Sequence, residues 1–169
     1  MMSDVITKLT LESVRQNFQS ASYRVETLTD PVTNVQYLRS ATAGLAFDIR
    51  PGNRFFGEEE AFADITLVAP LQVQGELPLD IVNRWNATRR FGRLALSPPF
   101  LVFSFDICVA GGVAPNNLRM QFEIWDRLAH ELMGYLRDEL ARLGAARSAA
   151  VPAAQPSANA KLEGSAAIR

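Results

Sequence analysis

The strongest constraint on this chain is an apolar stripe near its C-terminal end. Leu118, Phe122, Trp125, Leu128, Leu132, Leu136, Leu140 and Leu143 recur every three or four residues. That spacing puts all of them on one face of a helix running from Pro115 to about Leu143. So long an apolar face needs a broad apolar surface to lie on. Glu123 with Arg127, and Asp138 with Arg142, stand one turn apart and are expected as ion pairs on its outer side. Gly144 reads as the helix stop.

The surface that receives the stripe is written upstream as alternation. In Leu45–Arg50, Leu45, Phe47 and Ile49 point one way and Ala46, Asp48 and Arg50 the other. A period of two marks a strand with one dry face and one wetter face. Tyr23 to Leu28 and Val35 to Arg39 read as strands around the turn Asp30-Pro31-Val32-Thr33-Asn34. Pro51-Gly52-Asn53 ends the third strand, and Glu58-Glu59-Glu60 reads as an acidic loop. Phe62 to Val68 is a fourth strand expected to stop before Pro70. Arg93 to Leu96 and Phe100 to Val109 form a further hairpin around Ser97-Pro98-Pro99. Both sides of its second strand are rather apolar, which suggests a central, covered position. Short connections favour antiparallel pairing.

Two more helices complete the set. Leu9 to Ala21 carries Leu11, Val14, Phe18 and Ala21 at helical spacing. Thr10 suits its cap, and Leu9 with Val14 stand at staple spacing. Pro78 opens the second helix, whose apolar side is Ile81, Val82 and Trp85, and Phe91-Gly92 breaks it. The order helix, strands, helix, strands, helix predicts an α+β fold with helices on one face of an antiparallel sheet. Residues 1–144 read as one domain. Residues 145–169, rich in Ala, Pro and Ser, read as a disordered tail.

Composition narrows the function. Lys plus Arg is 17 against 18 for Asp plus Glu, a net charge of -1, which argues against a dedicated nucleic-acid binder. The chain has one cysteine, Cys108, and one histidine, His130, too few for a structural zinc site. Cys108 is expected as a buried, inert thiol. No secretory leader and no membrane-spanning run is read, so the expectation is a cytoplasmic protein. Neither G-x-S-x-G nor G-x-G-x-x-G occurs, and no catalytic residue, metal or cofactor is assigned. Gly111-Gly112 is taken as a turn. Glu123, Asp126 and His130 share a helix face and are taken as solvated rather than as metal ligands.

One cluster stands out. Arg84, Arg89, Arg90 and Arg93 surround Trp85 and Phe91, with Asn83 and Asn86 bracketing Trp85. They read as solvated arginines around core aromatics, or alternatively as an anion or nucleic-acid patch. Asn83 and Asn86 are expected to bond backbone groups near the helix end.

Val82-Asn83-Arg84-Trp85-Asn86 followed by Arg89-Arg90-Phe91-Gly92-Arg93 resembles the central signature of the YbjN family. Phe105-Asp106-Ile107, Gly111-Gly112-Val113 and the long helix match its downstream pattern, and Leu11 to Phe18 with Tyr23 its opening. The resemblance implies a fold similar to type III secretion chaperones and a role in bacterial sensory transduction regulation. It brings no catalytic residues. Asn83, Arg84, Trp85, Asn86, Arg89, Arg90, Phe91 and Arg93 carry over as family hallmarks, with binding or structural roles. The expected activity is docking of an unidentified protein partner, with a homodimer in view. Two positions depart from the pattern: Ser97-Pro98-Pro99 replaces an acidic, Gly-containing turn, and Ala114 replaces a helix-capping Thr.

Overall fold

The computed structural model describes residues 5–150. Thr10 opens helix α1 (Leu11–Ser20) with a capping box: its hydroxyl accepts from the Ser13 amide, and the Ser13 hydroxyl accepts from the Thr10 amide. Leu9, Val14 and Phe18 are buried along the face that the spacing predicts. Strands β1 (Glu26–Thr29), β2 (Gln36–Thr42) and β3 (Leu45–Pro51) form successive antiparallel hairpins. β1 begins later than the alternation suggests. The turn before β2 is held by the Asp30 carboxylate, which accepts from the Val32 and Thr33 amides at 3.0 Å each.

The acidic run Glu58-Glu59-Glu60 is not a loop. It lies in β5 (Glu58–Phe62), which pairs with β4 (Arg54–Phe55) in a small separate hairpin. Its charges face water, and hydrogen bonding to a partner strand outweighs the low strand propensity of Glu. β6 (Asp64–Gln72) does not stop before Pro70. It pairs with β3 only up to Val68, so at Pro70 one side of the strand has no ladder and a missing N–H is tolerated. Helix α2 (Leu79–Thr88) follows Pro78, and β7 (Arg93–Ser97) and β8 (Phe100–Cys108) form the last hairpin. Gly111 and Gly112, at φ +80° and +95°, take a left-handed turn that a side chain would resist.

The main sheet has the order β1-β2-β3-β6-β8-β7, all antiparallel. Its dry face carries Leu38, Phe47, Ile49, Ile65, Leu67, Leu94, Leu101, Phe103, Phe105 and Ile107, and all three helices pack there. Trp125 is the centre: its ring lies 4.8 Å from Phe103, stacked, and 5.1 Å from Phe47, edge-on. Phe18 of α1 stacks on Phe122 at 4.0 Å. Such aromatic pairs add about 0.5–1.5 kcal/mol each beyond burial.

Helix α3 spans Pro115–Ala150 and passes through Gly144. Ala145, Ala146, Ala149 and Ala150 are strong helix formers, and nothing crowds Gly144. The helical tail segment 145–150 therefore departs from the predicted disorder, and residues 151–169 lie outside the described residues. The stripe is buried through Leu136, but Leu140 is exposed, the inward-facing positions there being Glu139 and Leu143. The outer ion pairs also differ: Arg119 pairs with Glu123, Arg127 with Glu131, and Arg142 with Glu139. Each residue has two partners in reach on a helix, and spacing alone does not choose between them.

Ala114 offers no side-chain cap where α3 begins, although its carbonyl accepts from the Asn117 amide at 2.9 Å. Ala114→Thr is expected to raise the unfolding free energy by about 0.5–2 kcal/mol, read as a higher midpoint in urea. No gain would place the cap elsewhere.

Candidate functional site

The family-like signature runs from within α2 through the turn into the start of β7, and most of it is explained by packing. Trp85 is fully buried; its indole N–H donates to the Gly92 carbonyl at 3.1 Å, and its ring meets Phe103 edge-on at 5.8 Å. Asn86 performs a different task. Its amide nitrogen donates to the Leu94 carbonyl and its oxygen accepts from the Leu94 N–H, both at 2.9 Å. β7 is the last strand of the sheet, so this side-chain amide pairs with an open edge as a further strand would. Asn86 thus bonds backbone, as expected, but the backbone of β7. Asn83 is exposed, and among the described residues its side chain has no hydrogen-bond partner.

The arginines do not form one positive patch. Arg84 pairs with Asp80 and with Glu139 (2.7 Å), which is 5% exposed on α3. Arg89 lies over the rings of Trp85 (4.5 Å) and Tyr135 (5.1 Å) and stands 3.6 Å from Glu131. Arg93 meets Asp106 at 2.7 Å on the outer sheet face. Burial alone would push the Asp106 carboxyl up, but hydrogen bonds from Thr66 and Arg93 and the Arg93 charge hold it below the usual carboxylate range. Three of the four arginines therefore have carboxylates beside them, which offsets the field a phosphate would feel. With the Tyr135 hydroxyl donating to the Ile81 carbonyl at 2.6 Å, these contacts fasten α2 to α3.

Arg90 and Phe91 remain. Arg90 is exposed, and among the described residues it makes no ion pair. Phe91 is 66% exposed and has φ +73°, a conformation that costs a non-glycine residue roughly 1–2 kcal/mol. Its ring reaches Phe105 at a centroid distance of 6.3 Å. Phe91 is thus a large apolar side chain held outward on a backbone conformation that non-glycine residues rarely adopt.

Cys108 is exposed, against expectation. It lies on the same side of β8 as Asp106, the face no helix covers. The alternation with buried Phe105, Ile107 and Val109 was already a signal for this.

Asp126 is more than a solvated helix residue. One of its oxygens accepts from the Tyr23 hydroxyl at 3.2 Å and from the Thr42 hydroxyl. Burial, followed by the negative charges of Asp126 and Glu123, pushes the Tyr23 phenol well above its usual range, so it stays protonated. His130 directs Nδ1 at the Asp126 carbonyl oxygen (2.8 Å), which fixes the proton on that nitrogen. Among the described residues no group of three His, Cys, Asp or Glu side chains is placed to hold a metal. Tyr23 and Thr42 escaped the sequence reading because they lie 103 and 84 residues from Asp126.

A family model described as "Putative bacterial sensory transduction regulator" matches residues 10–137. No curated protein matches the chain, and no solved structure does.

Proposed function

The chain belongs to the YbjN family, and from that premise we propose that it is a non-catalytic regulatory module that works by docking a protein partner. The observation that carries this reading is Phe91. Trp85, Asn86 and Arg84 are bonded internally and Arg89 lies over the Trp85 ring, whereas Phe91 and its neighbour Arg90 project outward. An exposed aromatic beside an arginine is the composition of an interface anchor. The anion-binding alternative draws little support from arginines already beside Glu139, Glu131 and Asp106. Among the described residues no helix is long and apolar enough to cross a membrane.

Phe91→Gly separates anchor from scaffold. Glycine removes the ring and relieves the positive φ, so stability should stay within about 1 kcal/mol of the parent. Partner capture from the native cell extract, quantified by mass spectrometry, should fall steeply for Phe91→Gly and in part for Arg90→Ala. Unchanged capture by Phe91→Gly would remove the basis of this reading. Running a chain that ends at Ala150 beside the full chain tells whether residues 151–169 take part.

A further inference from the structure

A second site lies on the other end of the helical layer, where Phe91 takes no part. The connection from α1 to β1, the end of β2 and the first turns of α3 line a cleft of about 580 Å³. That volume suits a small molecule. Tyr23, Thr42, Phe122, Asp126 and Arg24 line it, together with the Arg119–Glu123 ion pair at 3.3 Å.

The charges left over after internal pairing define what would fit. Arg119 and Glu123 are paired with each other. Among the described residues Arg24 makes no ion pair, and its backbone is pinned by the Ser40 hydroxyl, which donates to its carbonyl at 2.7 Å. Asp126 is two-sided: one oxygen takes the Tyr23 and Thr42 hydroxyls, while the other has His130 Nδ1 at 3.6 Å. That histidine proton is already committed to a carbonyl, so the second oxygen keeps its acceptor capacity. The Asp126 side chain is 41% exposed, and the two hydroxyls hold it in one orientation. One oriented anion and one unpaired cation thus line the same cleft, together with the aromatic side chains of Tyr23 and Phe122.

We propose that this cleft binds a small zwitterion of the amino-acid class, with Asp126 receiving the ammonium group and Arg24 the carboxylate. A guanidinium suits a carboxylate through paired hydrogen bonds, and a fixed carboxylate with free lone pairs suits an ammonium. The inference is independent of partner docking at Phe91.

The test uses the full chain and two readouts, thermal shift and isothermal titration calorimetry. The probes are glycine, L-alanine, L-glutamine and γ-aminobutyrate, at millimolar concentration. Propylamine and propionate serve as half-ligands carrying one charge each. At least one zwitterion should bind saturably, and both half-ligands about tenfold more weakly or worse. Asp126→Asn and Arg24→Gln should each weaken binding by at least about tenfold, whereas Phe91→Gly should leave it unchanged. If Asp126→Asn fails to fold, Arg24→Gln, at an exposed side chain, carries the test alone. The proposal is overturned if no zwitterion binds, if a half-ligand binds as well as the best zwitterion, or if binding survives Arg24→Gln.

Discussion

Trp85→Ala is expected to lower the unfolding free energy by about 3–5 kcal/mol, the range for deleting a large buried aromatic. Domains of this kind have only about 5–15 kcal/mol in total. The side chain has no exposed surface and lies at the junction of three elements. It meets Phe103 on β8 edge-on at 5.8 Å and Tyr135 on α3 at 5.4 Å, and it carries Arg89 on its other side. Its loss opens a cavity and also leaves the Gly92 carbonyl without the indole donor. Trp85→Phe isolates the second effect, because it restores most of the apolar volume without the N–H. Trp85→Phe should cost roughly 1–3 kcal/mol. Urea unfolding measures both as shifts in midpoint at constant slope. Equal midpoints for the parent and Trp85→Ala would show that the α2 signature does not hold the core.

The parts of this fold written in local pattern were legible from the residues. The stripe from Leu118 to Leu136, the alternation of Leu45–Arg50 and the cap at Thr10 each follow from a spacing that one element imposes on itself. What failed were decisions made by distant partners. Glu58-Glu59-Glu60 became a strand because a hairpin partner at Arg54-Phe55 was available. Pro70 stayed in a strand because the pairing of β6 with β3 stops at Val68. The helix passed Gly144 because alanines follow it, and propensity is summed over a window rather than set by one residue.

The candidate site divides along the same line. The four arginines read as solvated residues around core aromatics, with an anion patch as the alternative, but Glu131, Glu139 and Asp106 arrive from other elements and sit beside three of them. The edge-pairing role of Asn86 depends on β7 being terminal in the sheet, which is a property of topology. The outward Phe91 is invisible to pattern reading, since an apolar residue next to Gly92 is ordinarily taken for core. Only its backbone angle and exposure mark it out.

Gly92→Ala gives the second large effect, and it tests how rigid the backbone around Phe91 is. Gly92 is buried, and its conformation is not what requires glycine: it is absent from the positive-φ positions that include its neighbour Phe91. The reason is close approach. An added Cβ would stand 2.6 Å from Phe103 Cε2 and 2.7 Å from its Cζ, with Leu128 Cδ1 at 3.2 Å. Those ring contacts are shorter than real Cβ contacts, so something must move. Phe103 has little room, because its ring is stacked on Trp125 at 4.8 Å and capped edge-on by Trp85. The strain must therefore pass into the backbone from Phe91 to Leu94, where the Trp85 and Asn86 bonds are anchored. A cost of about 1–3 kcal/mol is expected, as for other overpacked cores. Phe103→Leu in the same chain should recover part of it by opening the space the methyl needs, a positive coupling in a double-mutant cycle. Because the same backbone presents Phe91, Gly92→Ala should also weaken partner capture more than its stability loss alone would. Additive effects of the two substitutions would mean that Gly92 and Phe103 do not meet, and that some other contact fixes the turn.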